Sequence, residues 1–161
     1  PADVHGSLFG EGMEINPVCY LGSGRQATPL HFDPSENLLC VVHGVKELSL
    51  YHPSDSEHLY PAGERNSTVV YSRADPYASD AELESKWPLL ARASEWRAEV
   101  RAGDVLYLPC GWWHAVRGSA ALNLSLNWWF ELAAHKGDGG AARAAALEGQ
   151  LARARAAQAA N

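Results

Sequence analysis

His31 and Asp33 are the two residues whose types and spacing most directly indicate chemistry. They lie in a segment that predicts an extended strand, and side chains two positions apart in a strand point to the same face. An imidazole and a carboxylate therefore project together. Such a pair also arises by chance as a hydrogen-bonded surface pair, so on its own it is weak evidence for a metal site.

A second histidine strengthens the metal hypothesis. His114 follows a predicted buried-type strand at Val105–Leu108 and a Pro-Cys-Gly turn. A jelly-roll could return this segment to the end of the sheet that carries His31 and Asp33. Two histidines and one carboxylate on one side of a metal form the ligand set of non-haem Fe(II) oxygenases. We therefore predict that His31, Asp33 and His114 are metal ligands and catalytic residues.

Lys46 is the second candidate for a functional role. It alternates with Leu48 and Leu50 along a predicted strand, so it shares their apolar face. Strand lysines more commonly protect a sheet edge from aggregation. A lysine buried between two sheets instead needs an anion to offset its desolvation. The carboxylate of a cosubstrate would be such an anion, with the Thr28 hydroxyl as a further donor.

The strand amides allow two interpretations. Asn123 and Asn127 alternate with leucines in the last predicted strand, and Asn37 lies in the strand after Asp33. Strand amides mostly mark a solvated face, which is the expectation here. If their face lines the site, they become candidates for cosubstrate binding. Trp129 is equally consistent with core packing and with a pocket wall.

Short strands separated by turn residues dominate the middle of the chain. The clearest are Val45–Tyr51, which alternates, and Ala121–Leu132, in which leucines alternate strictly with polar residues. Helical patterns are peripheral, as at Asp80–Trp87. We predict an all-β core with peripheral helices, folded as a jelly-roll.

Composition limits the classes of protein and partner. The 161 residues are 47% hydrophobic and 20% charged, with a net charge of -6 and a pI near 5.6. This suits one globular domain and argues against nucleic-acid binding. No apolar run is long enough to cross a bilayer. Three cysteines without a Cys-x-x-C pair favour a reducing compartment. We expect a soluble, intracellular protein acting on a peptide or small molecule.

The predicted domain organisation has three parts: a catalytic domain at 1–136, a Gly-rich linker at 137–140 and an Ala-rich helix at 141–161. Helix propensity is high in the last part, but its apolar stripe is thin. Two interpretations of this helix therefore stay open, a solvated tail and a dimerisation element.

Residues 18–132 resemble the jumonji-C (JmjC) family of Fe(II)/2-oxoglutarate oxygenases. The resemblance rests on the segments ATPLHFDPSENLLCVVHGVKELSLYHPSDSEHLYP, AGDVLYLPCGWWHAV and LNLSLNWWF. It is greatest to the small hydroxylases, including the asparaginyl hydroxylase that inhibits hypoxia-inducible factor and the JmjC lysyl hydroxylases. It implies a double-stranded β-helix, iron at His31, Asp33 and His114, and O₂ as oxidant.

The resemblance also implies roles for residues around the iron and a class of reaction. Thr28 and Lys46 would hold the distal carboxylate of 2-oxoglutarate. The remaining matched positions contact the cosubstrate or line the pocket, namely Asn37, Asn127, Tyr20 and Trp129. The implied reaction is hydroxylation of a protein side chain, with decarboxylation of 2-oxoglutarate to succinate. N-methyl-lysine demethylation and a cupin domain without oxygenase activity are the alternatives. Full-length relatives carry additional strands and helices ahead of this region.

Overall fold

The protein is described by a computed structural model over residues 17–62 and 69–130, together with five separate helical positions between 145 and 156. Alternating apolar and polar residues in the described ranges form short strands, and turn residues such as Gly44 and Gly103, both with positive φ, separate consecutive strands. The strands in chain order are β1 (Val18–Gly22), β2 (Ala27–Phe32), β3 (Glu36–His43), β4 (Val45–Tyr51), β5 (Val70–Tyr71), β6 (Trp96–Arg101), β7 (Val105–Leu108), β8 (Trp113–Gly118) and β9 (Asn123–Phe130).

These strands form two antiparallel sheets. One has the order β1-β9-β3-β7 and the other the order β5-β2-β8-β4-β6. Leu39 and Leu108 of the first sheet pack with Leu48 and Val100 of the second in one buried cluster, so the two sheets face each other. The predicted all-β, jelly-roll architecture of the double-stranded β-helix is confirmed.

The segment that connects β4 to β6 covers the outer face of the five-stranded sheet. It contains two 3₁₀-helices, Pro53–His58 and Pro88–Arg92, and the helix α1 (Asp80–Lys86). Leu30 and Phe32 of β2 and Trp113 of β8 are fully buried against this segment. Successive side chains of a strand point to opposite faces. His31, between Leu30 and Phe32, and His114, next to Trp113, therefore point toward the four-stranded sheet.

The outer face of the four-stranded sheet is more exposed. Val105 and Tyr107 of β7 are 58% and 45% exposed, and Leu21 of β1 is 68% exposed. The prediction that Val105–Leu108 is buried on both faces is therefore wrong. Only Leu108 is buried in that strand, because β7 is an edge strand with one face turned outward.

The predicted linker at 137–140 lies outside the described residues, as does the predicted helix at 141–161 except for its five helical positions. The division of the chain into a catalytic domain, a linker and a helix thus stays a prediction. None of the helices in the described part of the chain has the length and apolar character of a transmembrane segment.

Candidate active site

The structure brings together the three predicted metal ligands. His31 of β2 and His114 of β8 are direct cross-strand partners, and their ring centroids are 4.3 Å apart. Asp33 follows β2, and its Oδ2 atom lies 3.8 Å from Nε2 of His31 and 3.9 Å from Nε2 of His114. One ligand atom from each residue lies within 4.8 Å of the others, so a single cation can contact all three.

Backbone carbonyls orient both imidazoles. Nδ1 of His31 donates to the carbonyl oxygen of Pro29 at 2.8 Å, and Nδ1 of His114 donates to that of Trp112 at 3.0 Å. With the proton on Nδ1, the lone pair of each Nε2 is available for a metal. Burial, and then the neighbouring imidazole of His31, lower the pKa of His114 to about 4. The His114 ring is therefore neutral at neutral pH, as a metal ligand must be.

Trp129 orients the carboxylate of Asp33. Its indole Nε1 donates to Oδ2 of Asp33 at 2.9 Å, and its ring contacts Tyr20 edge-on at a centroid distance of 6.3 Å. The resemblance implied a pocket-lining role for Trp129 and Tyr20, and it did not include this hydrogen bond. Only the pairing of β9 with β3, which places Trp129 opposite Asn37, reveals that the indole reaches Asp33.

A cavity of about 60 Å³ extends from the three ligands between the two sheets. All nine predicted site residues line it: Tyr20, Thr28, His31, Asp33, Asn37, Lys46, His114, Asn127 and Trp129. The structure thus brings these nine residues together, whereas Asn123, the remaining amide candidate from the sequence, does not line the cavity.

A β-bulge explains how Thr28 and His31 line the same cavity. In a regular strand, residues three apart point to opposite faces. Thr28 lies opposite Val116 and His31 lies opposite His114, so β2 has one extra residue between the two pairs. The extra residue restores the side-chain direction. Thr28 itself stays exposed, which puts it near the mouth of the cavity.

Lys46 is a buried cation without a carboxylate partner. It is 9% exposed, on the same strand face as the buried Leu48. Its ammonium group forms no ion pair with any carboxylate in residues 17–62 and 69–130. Burial lowers the pKa of Lys46. A ligand that carries a negative charge would offset this desolvation, so the position suits an anion.

The asparagines face inward, and the expectation of a solvated face is wrong for them. Asn37 and Asn127 are 2% and 5% exposed, and Nδ2 of Asn127 donates to Oδ1 of Asn37 at 3.1 Å. Oδ1 of Asn127 has no hydrogen-bond partner among the described residues. Asn123 is fully buried but does not line the cavity. The alternation of β9 was predicted, but its leucines lie on the outer face of the sheet and its polar residues face the opposite sheet.

Tyr71 is a site residue that the sequence did not indicate. It lies opposite His31 on the edge strand β5 and stacks on that imidazole, with a centroid distance of 5.3 Å. Tyr71 and Tyr20 are 46% and 43% exposed, so two half-exposed phenol rings lie beside the triad. Burial, and then the charge of Asp33, raise the pKa of Tyr20. The pairing of β5 with β2 could not be read from local pattern.

Two imidazoles and a carboxylate suit a divalent transition metal such as Fe(II), and Lys46, which has no carboxylate partner among the described residues, suits an anionic ligand beside it. The fold and the site define a cupin-like double-stranded β-helix in which three side chains are placed to hold a divalent metal.

The chain belongs to a known family of such proteins. The family model described as "Cupin-like domain" matches residues 4–135, and the curated relatives identify it as a JmjC domain.

Three relatives illustrate the similarity. Jumonji C domain-containing protein 5 of Drosophila melanogaster is 37% identical over 117 residues, which cover 73% of this chain and 28% of that protein. Lysine-specific demethylase 8 of Danio rerio is 35% identical over 124 residues, 76% of this chain and 29% of the relative. The bifunctional peptidase and (3S)-lysyl hydroxylase JMJD7 of Homo sapiens is 33% identical over 132 residues, 70% of this chain and 40% of the relative. The chain thus spans less than half the length of each.

Proposed function

We propose that this domain is an Fe(II)- and 2-oxoglutarate-dependent oxygenase that hydroxylates a side chain of a protein substrate. One observation carries the proposal: a three-ligand metal set and an unpaired, buried lysine share one cavity. A metal-binding cupin without a cosubstrate has no need of Lys46. The names of the curated relatives, which include lysine-specific demethylases and a lysyl hydroxylase, support the same class of reaction.

Each group of the cavity has a role in this proposal. His31, Asp33 and His114 would hold Fe(II), leaving positions open for other ligands. Bound Fe(II), with 2-oxoglutarate and O₂, supplies an oxidant that inserts one oxygen atom into a C–H bond while 2-oxoglutarate loses CO₂ and becomes succinate. The ammonium group of Lys46 would pair with the distal carboxylate of 2-oxoglutarate, and the Thr28 hydroxyl would donate to the same group.

The surroundings of the triad favour a basic substrate side chain. The half-exposed rings of Tyr20 and Tyr71 lie beside the metal ligands, and aromatic faces attract cations. The net charge of -6 also attracts basic segments of a protein and disfavours nucleic acid. One curated relative is tRNA wybutosine-synthesizing protein 5 of Mus musculus, so RNA binding is the outcome that would count against a protein substrate.

N-methyl-lysine demethylation is the second candidate function, because relatives that are 32% to 35% identical to this chain carry the name lysine-specific demethylase. Both reactions begin by hydroxylating a C–H bond. On an N-methyl group the product loses formaldehyde, so the substrate loses a methyl group. On a side-chain carbon the substrate keeps the added oxygen. The mass change of the substrate therefore separates the two.

The test is an anaerobic titration of Fe(II) and then 2-oxoglutarate, followed by incubation in air with basic proteins and peptides, methylated and unmethylated. We expect succinate formation that depends on Fe(II), together with a gain of one oxygen atom in an unmethylated peptide, measured by mass spectrometry. The Lys46→Met variant is the control for the cosubstrate. Binding of Fe(II) without any turnover of 2-oxoglutarate, over the whole set of substrates, would favour the cupin without oxygenase activity.

A further inference from the structure

The ladder between β2 and β8 stops at the metal ligands. His31 and His114 form the last pair of that ladder, so Asp33, two residues further on, is held by no ladder hydrogen bond between these strands. The segment after β2 and the turn before β8 are joined instead by individual bonds. The amide of Gly111 donates to the carbonyl oxygen of Asp33 at 3.0 Å. The position of Asp33 relative to His114 thus depends on contacts outside the sheet.

Glu36 lies at the centre of these contacts. The residue is 3% exposed, and its Oε2 atom accepts hydrogen bonds from the Tyr107 hydroxyl at 2.6 Å and from the amide of Cys110 at 3.0 Å. The thiol of Cys110 also donates to the carbonyl oxygen of Pro34 at 3.1 Å. One buried carboxylate oxygen therefore links the segment that carries Asp33 to the end of β7 and to the turn that leads to His114.

The side chain of Glu36 does not reach the cavity. Glu36 and Asn37 are neighbours on β3, so their side chains point to opposite faces, and it is Asn37 that lines the cavity. Any effect of Glu36 on a bound metal must therefore pass through the backbone of the two segments. Burial of a carboxylate is costly unless hydrogen bonds offset it, so the donors from Tyr107 and Cys110, both in the described part of the chain, contribute to keeping Glu36 in place.

We propose that Glu36 is a positioning residue for the metal site, which sets the distance between Asp33 and His114 by tying their two segments together. This inference rests on the metal binding contained in the proposed function, but not on the oxygenase reaction or its substrate. Residues that orient metal ligands typically change metal affinity by about 10- to 100-fold when they are replaced. Neither sequence pattern nor the resemblance indicated Glu36.

The test measures Mn(II) binding to the metal-free protein by calorimetry, together with thermal unfolding of the metal-free state. We expect Glu36→Met to raise the Mn(II) dissociation constant by about 10- to 100-fold. Glu36→Gln keeps an oxygen acceptor, so it should restore most of the affinity. Tyr107→Phe removes one of the two donors and should give an intermediate loss.

Glu95→Met is the control for loss of a hydrogen-bonded glutamate that is more exposed than Glu36. Glu95 also accepts two side-chain hydrogen bonds, from Ser49 at 2.7 Å and Arg97 at 3.1 Å, but it joins neither metal-bearing segment. Its replacement should lower the unfolding temperature and leave the Mn(II) affinity unchanged. A positioning role requires that the two glutamate variants differ in metal affinity even where they lose similar stability.

Two results would overturn the inference. The first is wild-type Mn(II) affinity in folded Glu36→Met protein. The second result applies if Glu36→Met does not fold. In that case, an unchanged Mn(II) dissociation constant in both Glu36→Gln and Tyr107→Phe would overturn the inference. If the wild-type protein itself bound neither Mn(II) nor Fe(II), the proposed function would fail, and that result is distinct from the two above.

Discussion

The two ends of the cavity are built differently. At the metal end, the protein itself already orients each group: Nδ1 of both histidines is hydrogen-bonded to a backbone carbonyl, and Asp33 accepts from Trp129. At the other end, Lys46 is buried without a carboxylate partner in the described part of the chain. The metal end is therefore preorganised, whereas the lysine end is completed by an anion from outside. Substitutions at the two ends should affect different ligands.

The largest effect is expected at the metal end. Asp33→Ala removes one of the three proposed metal ligands, so Fe(II) binding should become undetectable at micromolar protein, and the same holds for His31→Ala. Anaerobic calorimetry measures this directly. Full metal occupancy in both variants would remove the triad as the metal site, and with it the contrast between the two ends.

The second effect belongs to the lysine end. Lys46→Met keeps the apolar stem and removes a buried charge, so the free energy of unfolding should stay equal or rise. The affinity for 2-oxoglutarate should fall by about 2 to 4 kcal/mol, the scale for deleting one member of a buried charge-assisted pair. Fe(II) affinity should not change. An unchanged Michaelis constant for 2-oxoglutarate would mean that Lys46 has only a structural role in β4.

A smaller effect is expected for Thr28→Val, which is nearly isosteric. It removes one neutral hydroxyl donor at the exposed mouth of the cavity, so 2-oxoglutarate affinity should fall by about 1 to 2 kcal/mol. Fluorescence titration at fixed Fe(II) gives the dissociation constant. Equal losses in Thr28→Val and Lys46→Met would contradict a dominant role for the charge.

The smallest effect tests the preorganisation itself. Trp129→Phe keeps an aromatic ring but loses the hydrogen bond to Asp33, so Fe(II) affinity should fall by about 1 kcal/mol. The dissociation constant for 2-oxoglutarate, measured at saturating Fe(II), should change less than that for the metal. Trp112→Phe is a suitable control, because its indole does not line the cavity. The reverse pattern would assign Trp129 to the cosubstrate rather than to the metal ligand.

Local patterns in the sequence predicted the fold class and nominated the site residues, because alternation shows which side chains share a strand face. Alternation does not show which face is inside. In β9 the leucines suggested the inner face, but Asn123 and Asn127 are buried and the leucines lie on the other side. The buried amide of Asn127 is paired with Asn37 on another strand, and local pattern does not contain that partner.

Contacts between distant segments account for the other residues that the sequence did not reveal. Tyr71 stacks on His31 because β5 pairs with β2, and Glu36 reaches Tyr107 because β3 pairs with β7. The bulge that turns Thr28 into the cavity depends on the register of β2 against β8. Each of these depends on strand pairing across many residues. The pair of His31 and Asp33 is carried by residue types and spacing within a few residues, whereas His114 joins it only through the predicted jelly-roll and the resemblance.

The pairing of His31 with His114 also bears on how the domain resists unfolding. These histidines lie on adjacent strands that are remote in the chain, so a metal held by both acts as a crosslink across the five-stranded sheet. A ligand that binds only the folded state stabilises it by about 2.7 kcal/mol at a concentration 100 times its dissociation constant. Protease resistance of the domain should therefore increase with the concentration of available metal. In a cell, metal-free domains would be degraded first.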